Sequence, residues 1–394
     1  MAYNDGKKGS VLLDSLIDIK PVNSPKQLKL FLDLPYSLHK GDPNWRAPLR
    51  FERAAQLNPR KNPAAKPITY QFFLAYKDGQ PVGRIAAFIN AAHDAHYKDN
   101  AGFFGYLDSA RDPKVIPALL KAAEDWVAAK GRDKIFGPAM WSVNEECGLL
   151  IDGFDTPPSV LMPYGRPDYQ TSVEGYGFTK AVDMYAYMQD LHAGYPRSRI
   201  IQAMVGYAES NPSLTWRKLD KSNFLADIKI AMDIFNDAWS GNWGFIPFTP
   251  EQIIHTAKEM KPILVHDAFW IGCIDNKPVA YVCMIPDINE AAKGFDGRLL
   301  PFNWAKFLWR LKVRKIKRLR LPLMGLRREW HNKRKGVALT TKICEMAYAG
   351  ARDNGYTHCE LSWILEDNEG MKGICDQAQA VHYKTYRMYQ KTID

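Results

Sequence analysis

Arg318–Ala349 reads RLRLPLMGLRREWHNKRKGVALTTKICEMAYA, and its change of hydrophobic period decides the fold. Leu319, Leu321 and Leu323 alternate with basic or polar neighbours, the period-2 pattern of a half-buried strand. A charged turn containing glycine comes next, His331 to Gly336. From Val337 the apolar positions Leu339, Ile343, Met346 and Ala347 recur every three or four residues, so the chain becomes a helix. A strand, a basic glycine loop and a helix in that order suit an anion. The first amides of the helix have no partner within it, and the macrodipole favours negative charge there. Gly336 lets backbone come close, and Lys333, Arg334 and Lys335 add charge. A solvated basic turn before a surface helix would carry the same residues.

The segments after this helix narrow the choice. Beyond Gly355 comes a second strand, Thr357–Leu365 (THCELSWIL), then Asn368, then a predicted helix ending in the tyrosines of HYKTYRMYQK, which include Tyr383, Tyr386 and Tyr389. The spacing Lys333-x-x-Gly336-x-Ala338 resembles the (Gln/Arg)-x-x-Gly-x-(Gly/Ala) loop of GNAT-fold acyltransferases, with Lys in place of Gln or Arg. That resemblance implies a loop that grips the pyrophosphate of acyl-CoA.

The 394 residues are 46% hydrophobic and 24% charged, enough for two domains with real cores. The six cysteines form no C-x-x-C pair and several fall in apolar strand or helix patterns, as buried free thiols in a reducing cytoplasm would. MAYNDGKKGS has no long apolar core, so no signal peptide is expected, and no run of about 18 apolar residues would span a bilayer. A net charge of +10 calls for an anionic partner: CoA, an acidic membrane or nucleic acid.

The first half has the same order of elements. We predict a strand over Val11–Ile19, a helix over Lys26–Leu38 capped by Ser24, and a hairpin of Phe72–Tyr76 and Val82–Ile89. A strand over Gly102–Leu107, a helix over Ile116–Ala129 and a strand over Ile135–Met140 complete the series. Between the third strand and its helix stands LDSARDPKVI, without a glycine loop, so this half is expected to bind CoA poorly. Trp141–Pro158, rich in Gly, Pro and acids, is expected to be irregular. Its Glu145 and Glu146 are candidates for a general base or for pairing with a cationic amine, or else belong to a solvated acidic loop. We divide the chain into 1–192, a linker 193–212, and 213–394; the hairpin of Ala268–Ile274 and Val279–Met284 repeats the first one about two hundred residues on. The fold class expected is α/β, two tandem GNAT-like domains, each a mixed sheet flanked by helices.

An insertion, 286–317, interrupts the second half. In LLPFNWAKFLWRLKVRKIKRLR the residues Trp304, Phe307, Leu308 and Leu311 fall at helical spacing among lysines and arginines. Such a helix suits a membrane interface, although one packed on its own domain with lysines in water would read alike. No recognised nucleic-acid module is present, so nucleic acid is not the expected partner. His93 and His96 share a helix turn without an evident third ligand, and no metal site is expected.

The passages LPYSLHKGDPNWRAPL, NEECGLLIDGFDTPP, NDAWSGNWGFIPFTPEQ and WILEDN give the whole chain the look of a bacterial family with two GNAT-like domains, within which it resembles the bacterial ceramide synthases. The resemblance implies N-acylation of a sphingoid base, such as 3-oxosphinganine or sphinganine, by long-chain acyl-CoA as co-substrate. The cysteines lead us to expect a cytoplasmic enzyme, and the basic aromatic insertion one peripheral at the inner membrane. Gly325 or Leu326 would offer an oxyanion donor and Val337 and Ala338 would complete the loop. Asn368 would position pantetheine or cap a helix. Tyr383 would protonate the thiolate, with Tyr386 and Tyr389 behind it, and Glu145 or Glu146 would act as base in competition with Glu360 and Glu366. Two rivals share these residues: an acetyl-CoA-dependent transferase for a small amine or protein lysine, and a non-catalytic membrane or protein adaptor.

Overall fold

The computed structural model describes residues 16–196, 198–314 and 316–393. The opening decapeptide and the first part of the strand expected over Val11–Ile19 lie outside them, as does Lys315. The first half comprises β1 (Asp18–Pro21), α1 (Pro25–Leu38), α2 (Arg50–Gln56), β2 (Ile68–Lys77), β3 (Gln80–Asn90), α3 (Ala91–Tyr97), β4 (Ala101–Ser109), α4 (Val115–Ala129), β5 (Lys134–Gly137), β6 (Ala139–Met140), β7 (Ser142–Cys147), β8 (Leu149–Asp152), α5 (Pro167–Gly175) and β9 (Thr179–Asp190). The second comprises α6 (Arg199–Ser210), β10 (Leu214–Lys218), α7 (Phe224–Ala238), α8 (Pro250–Met260), β11 (Phe269–Ile274), β12 (Lys277–Pro286), α9 (Ile288–Ala292), α10 (Asn303–Trp309), β13 (Arg318–Leu326), α11 (Arg334–Asp353), β14 (His358–Leu365), α12 (Glu369–Gln377) and β15 (Val381–Thr392).

The main sheet runs in the order β1-β2-β3-β4-β5-β15-β9-β14-β13-β12-β11-β10, with β8 also paired to β15, while β6 and β7 form a separate two-stranded sheet. The centre of the main sheet is an exchange. β9 closes the first half in sequence but pairs with β14, and β15 closes the second half but pairs with β5 and β8. β9 and β15 pair antiparallel with each other, from Val381↔Met188 to Gln390↔Thr179. The sheet therefore runs unbroken across residues 193–212, which hold α6, packed on α11.

Several local expectations need correction. The segment HYKTYRMYQK is strand β15, so Tyr383, Tyr386 and Tyr389 are strand residues; the helix before it, α12, has no tyrosine. Trp141–Pro158 is not irregular throughout: it holds β6's partner β7, and β8, separated by Gly148 in a left-handed conformation. The insertion helix is one short α-helix, α10, continued by a π-turn over Arg310–Arg314. α11 begins at Arg334 rather than Val337, so Arg334 and Lys335 lie in its first turn.

The sheet is covered on both faces, and this buries side chains that period 2 alone would send to solvent. Ala338, Leu339, Ile343 and Ala347 of α11 pack against Leu319, Leu321, Ala280 and Val282. On the other face Ile234 and Phe235 of α7 pack against Tyr281 and Cys283. The first half's core is dense in rings, with Phe31, Phe72, Phe88, Tyr106 and Trp141 in mutual contact; burying such rings contributes about 2–3 kcal/mol each.

Candidate active site

Parallel pairing of β13 with β14 runs from Arg318↔His358 to Leu321↔Leu361 and then stops. Beyond that point β13 pairs with β12, through Leu323↔Cys283 to Leu326↔Ala280, while β14 turns to β9, with Ile364↔Tyr185 and Leu365↔Met184. A register shift on each strand drives them apart, so the inner edge of β13 over Met324–Leu326 lacks a strand partner. Trp239 and Trp363 flank this opening with ring centroids 6.4 Å apart. Trp239 Nε1 donates to Met324 O (3.0 Å), whereas the buried Trp363 indole N–H has no acceptor among the described residues.

The opening leads to the N-terminus of α11. Its cap residue Lys333 supplies no side-chain acceptor and its first turn has no acid, so the dipole and the first amides are left to another partner. Lys333 lies over the Trp330 ring at 5.2 Å and Arg334 over Tyr207 at 4.1 Å. Gly336 is needed for packing: an added Cβ would lie 2.4 Å from Trp330 O. Val337 is exposed and Ala338 buried. Gly325 is pressed between Tyr281 and α7, and Leu326 O accepts from His331 Nε2 (2.8 Å). Asn368 is the cap of α12, its Oδ1 accepting from Met371 N–H at 3.0 Å.

The first half has the equivalent opening, and fills it. β4 and β5 pair only from Ala101↔Lys134 to Phe103↔Phe136. Beyond, the Ala139 backbone lies so close to Gly105 that a Cβ there would fall 1.7 Å from Ala139 O. Trp141 is fully buried, its Nε1 donating to Gln56 O (3.0 Å). Before α4, Asp112 Oδ1 accepts from the N–H of the cap residue Lys114 (3.0 Å) and its Oδ2 from Lys77 Nζ (2.6 Å).

Glu145 and Glu146 lie on β7 and face the first half's own helix α2 and the turn after it. Glu146 takes both oxygens to Arg53 Nη2 (2.6 and 2.7 Å). Glu145 accepts from Gln56 Nε2 (2.7 Å) and Asn62 Nδ2 (3.4 Å). Burial pushes the Glu145 carboxyl up to about 7, with the two amide donors opposing the rise. Below its unfolded pKa this group costs nothing. Between there and about 7 the folded state holds the extra proton, so stability falls as pH rises. Glu145→Gln is expected to be about 2 kcal/mol more stable than wild type at pH 8 and nearly equal at pH 5, read as denaturation midpoints at the two pH values.

A second polar group lies beside the opening. Arg320 (4% exposed), Glu360 (0%), Ser362 (5%) and Lys384 (0%) are buried on the face of β13, β14 and β15 away from α11. Arg320 Nε donates to Ser362 Oγ (2.9 Å) and Arg320 Nη1 to Val160 O (2.9 Å). Ser362 Oγ and Tyr383 OH each donate to one oxygen of Glu360. Lys384 Nζ donates to Gly153 O and to Thr156 O (2.8 Å); burial pushes it down to about 8. Asp287 Oδ1 accepts from Val160 N–H (3.0 Å). Three charged side chains of the second half thus hold residues 153–160 of the first half by their backbone. The sequence singled out Glu360 and Tyr383 but not Arg320, Ser362 or Lys384. Glu366 sits away from this group, bonded to Lys180 Nζ (2.6 Å).

No protein-family model matches the chain. It is 39% identical over 379 residues, 96% of its length and 98% of the relative's, to a Caulobacter vibrioides (strain NA1000 / CB15N) protein named bacterial ceramide synthase. It is also 39% identical over 367 residues, 93% of each chain, to Protein YghO of Escherichia coli (strain K12). Among solved structures, a tandem GNAT protein from the clavulanic acid biosynthesis pathway superposes with a TM-score of 0.54 at 11% identity, covering 96% of this chain and 99% of that one. A GCN5-related N-acetyltransferase from Sphaerobacter thermophilus does so with a TM-score of 0.50 at 11% identity, covering 96% of each. The fold is that of two GNAT units in tandem.

Proposed function

The chain belongs to the bacterial ceramide synthase family, and on that premise we propose that it transfers the acyl group of a long-chain acyl-CoA to the primary amine of a sphingoid base. It is an acyltransferase of GNAT fold. The observation that carries the substrate assignment is the separation of β13 from β14 at Leu321/Leu361, opening towards the uncapped first turn of α11. From Leu326 back to Leu321 is about 16 Å at about 3.3 Å per residue, comparable to an extended pantetheine arm. Pyrophosphate would lie on the amides after Lys333 with Lys333, Arg334 and Lys335 around it, and the thioester near the point of separation. We assign acyl-CoA to 213–394 and treat 1–192 as a second copy whose opening is filled by Ala139–Trp141.

Two features favour a lipidic amine over a small one. A cleft of about 250 Å³ lies between the halves, with Phe103, Phe136, Val143 and Trp243 on its apolar wall and His93, His96 and Asp99 also lining it; the apolar wall suits an alkyl chain. The insertion exposes large apolar side chains: Leu300 (77%), Phe302 (80%), Trp304 (50%), Leu308 (42%), Trp309 (49%) and Val313 (66%). Lys306 and Lys312 lie among them. Among the described residues no helix is long and apolar enough to cross a membrane. We propose that this segment enters the interface of an anionic inner leaflet from the cytoplasmic side.

The enzyme should prefer long-chain acyl-CoA with sphinganine over acetyl-CoA with a small amine or a lysine peptide, measured as kcat/KM; the reverse order would establish the acetyltransferase rival. For the membrane, a Phe302→Ser, Trp304→Ser, Trp309→Ser protein is expected to lose at least tenfold in affinity for phosphatidylglycerol vesicles by flotation, with its melting temperature unchanged. Wild type that stays in the soluble fraction at low salt would contradict the membrane reading.

A further inference from the structure

The cluster around Glu360 is costly to bury. Well-packed apolar residues of equal volume commonly replace buried ion pairs without loss of stability. Such a group, placed at an opening in the sheet, calls for a chemical explanation. Glu360 pairs in register with Arg320, one position before the last pair Leu321↔Leu361, so it stands at the point where the strands part. Both of its oxygens accept from hydroxyls, of Ser362 and Tyr383, and Arg320 Nε lies 3.7 Å from Oε1. Every other member of the cluster is buried, whereas Tyr383 is half-buried. Its hydroxyl hydrogen is committed to Glu360 and the Ser159 hydroxyl stands beside its oxygen, so a ligand would meet the lone pair that Ser159 leaves.

We propose that Tyr383 and Glu360 form the proton acceptor for the incoming amine, with Tyr383 touching the substrate and Glu360 receiving the proton through it. The proposal rests on the acyltransferase reading above and adds the path of the proton. The ammonium gives one N–H proton to Tyr383 Oη as the phenol proton passes to Glu360, leaving a neutral amine. Nitrogen then attacks the thioester carbonyl, forming C–N. As C–S breaks, the proton remaining on the cationic nitrogen goes to the departing sulfur. Amide and CoA thiol leave, and Glu360 returns its proton to solvent. Tyr383 acts as a neutral hydroxyl throughout, since burial and the adjacent Glu360 raise its pKa. Ser362 and Arg320 are positioning residues that fix the Glu360 carboxyl. The other ionisable groups around the pair are Lys384 and Tyr386 on β15, the buried Asp287 after β12 and, farther off, Glu146 on β7. Glu145 and Glu146 face Gln56, Asn62 and Arg53 of the first half instead.

The test is the pH dependence of amide formation in Tyr383→Phe and Glu360→Gln, with long-chain acyl-CoA and sphinganine. At pH 7 each is expected to lose about a hundredfold in kcat, with acyl-CoA affinity within threefold of wild type. The deficit should shrink about tenfold per pH unit towards the pKa of an alkylamine, about 10, because solution then supplies the neutral amine. A purely structural role, or donation of a proton to sulfur, would leave the deficit constant or larger as pH rises, and either result overturns the proposal. So would unchanged turnover in Tyr383→Phe, or a pH-rescued loss in Glu145→Gln instead. If Glu360→Gln fails to fold, Tyr383→Phe decides, since it strands no charge. Wild type that makes no amide at all would instead overturn the acyltransferase reading.

Discussion

Glu146→Gln is expected to cost about 3 kcal/mol of stability. Arg53 and Glu146 are 19% and 11% exposed and bonded through both carboxylate oxygens. The pair joins α2 to the β6–β7 hairpin that fills the first half's opening. Neutralising one partner leaves a guanidinium out of water without its counter-charge, a loss of about 3–5 kcal/mol when a buried pair is broken. Arg53→Met with Glu146→Leu removes both charges and should recover most of it. Urea denaturation midpoints of the three proteins measure this. A loss below about 1 kcal/mol in Glu146→Gln would mean that the pair behaves as a surface ion pair.

Acyl-CoA binding should weaken about a hundredfold, about 2.7 kcal/mol, in Lys333→Glu with Lys335→Glu. Among the described residues neither side chain pairs with a carboxylate, so reversing both changes the field at the first turn of α11 while leaving the fold's ion pairs in place. A change at Gly336 is less informative, because any side chain there meets Trp330 whether or not CoA binds. Calorimetric titration with a long-chain acyl-CoA gives the comparison, and equal affinity in both proteins would remove the phosphate-loop assignment. The matching reversal at Lys114, before α4, should leave binding unchanged.

The strand, loop and helix of Arg318–Ala349 were legible because the hydrophobic period changes from two to between three and four inside one short stretch, a local signal. HYKTYRMYQK misleads for a local reason too. Its tyrosines stand three apart, as on a helix, while in β15 register shifts between His382 and Lys384 and between Met388 and Tyr389 break the alternation. The burial of Arg320, Glu360 and Lys384 was not legible. Charged residues on a strand read as solvent-facing unless something covers that face, and here the cover is residues 153–160, far away in sequence. Nor does any local pattern reveal the exchange of β9 and β15, since each strand's partners are set by the other half. The tandem arrangement itself could be read from the order of elements. The filling of the first half's opening could be only partly read: the missing glycine loop was visible, the Ala139 carbonyl against Gly105 was not.

The most direct measurement of the central claim is the stoichiometry of the reaction. Purified protein is incubated with palmitoyl-CoA and sphinganine, free thiol is followed by a chromogenic disulfide, and the lipid product is weighed by mass spectrometry. One mole of N-palmitoyl amide per mole of thiol released, abolished when either substrate is omitted, is the expected result. No thiol release, or thiol release with free palmitate and no amide, would contradict it.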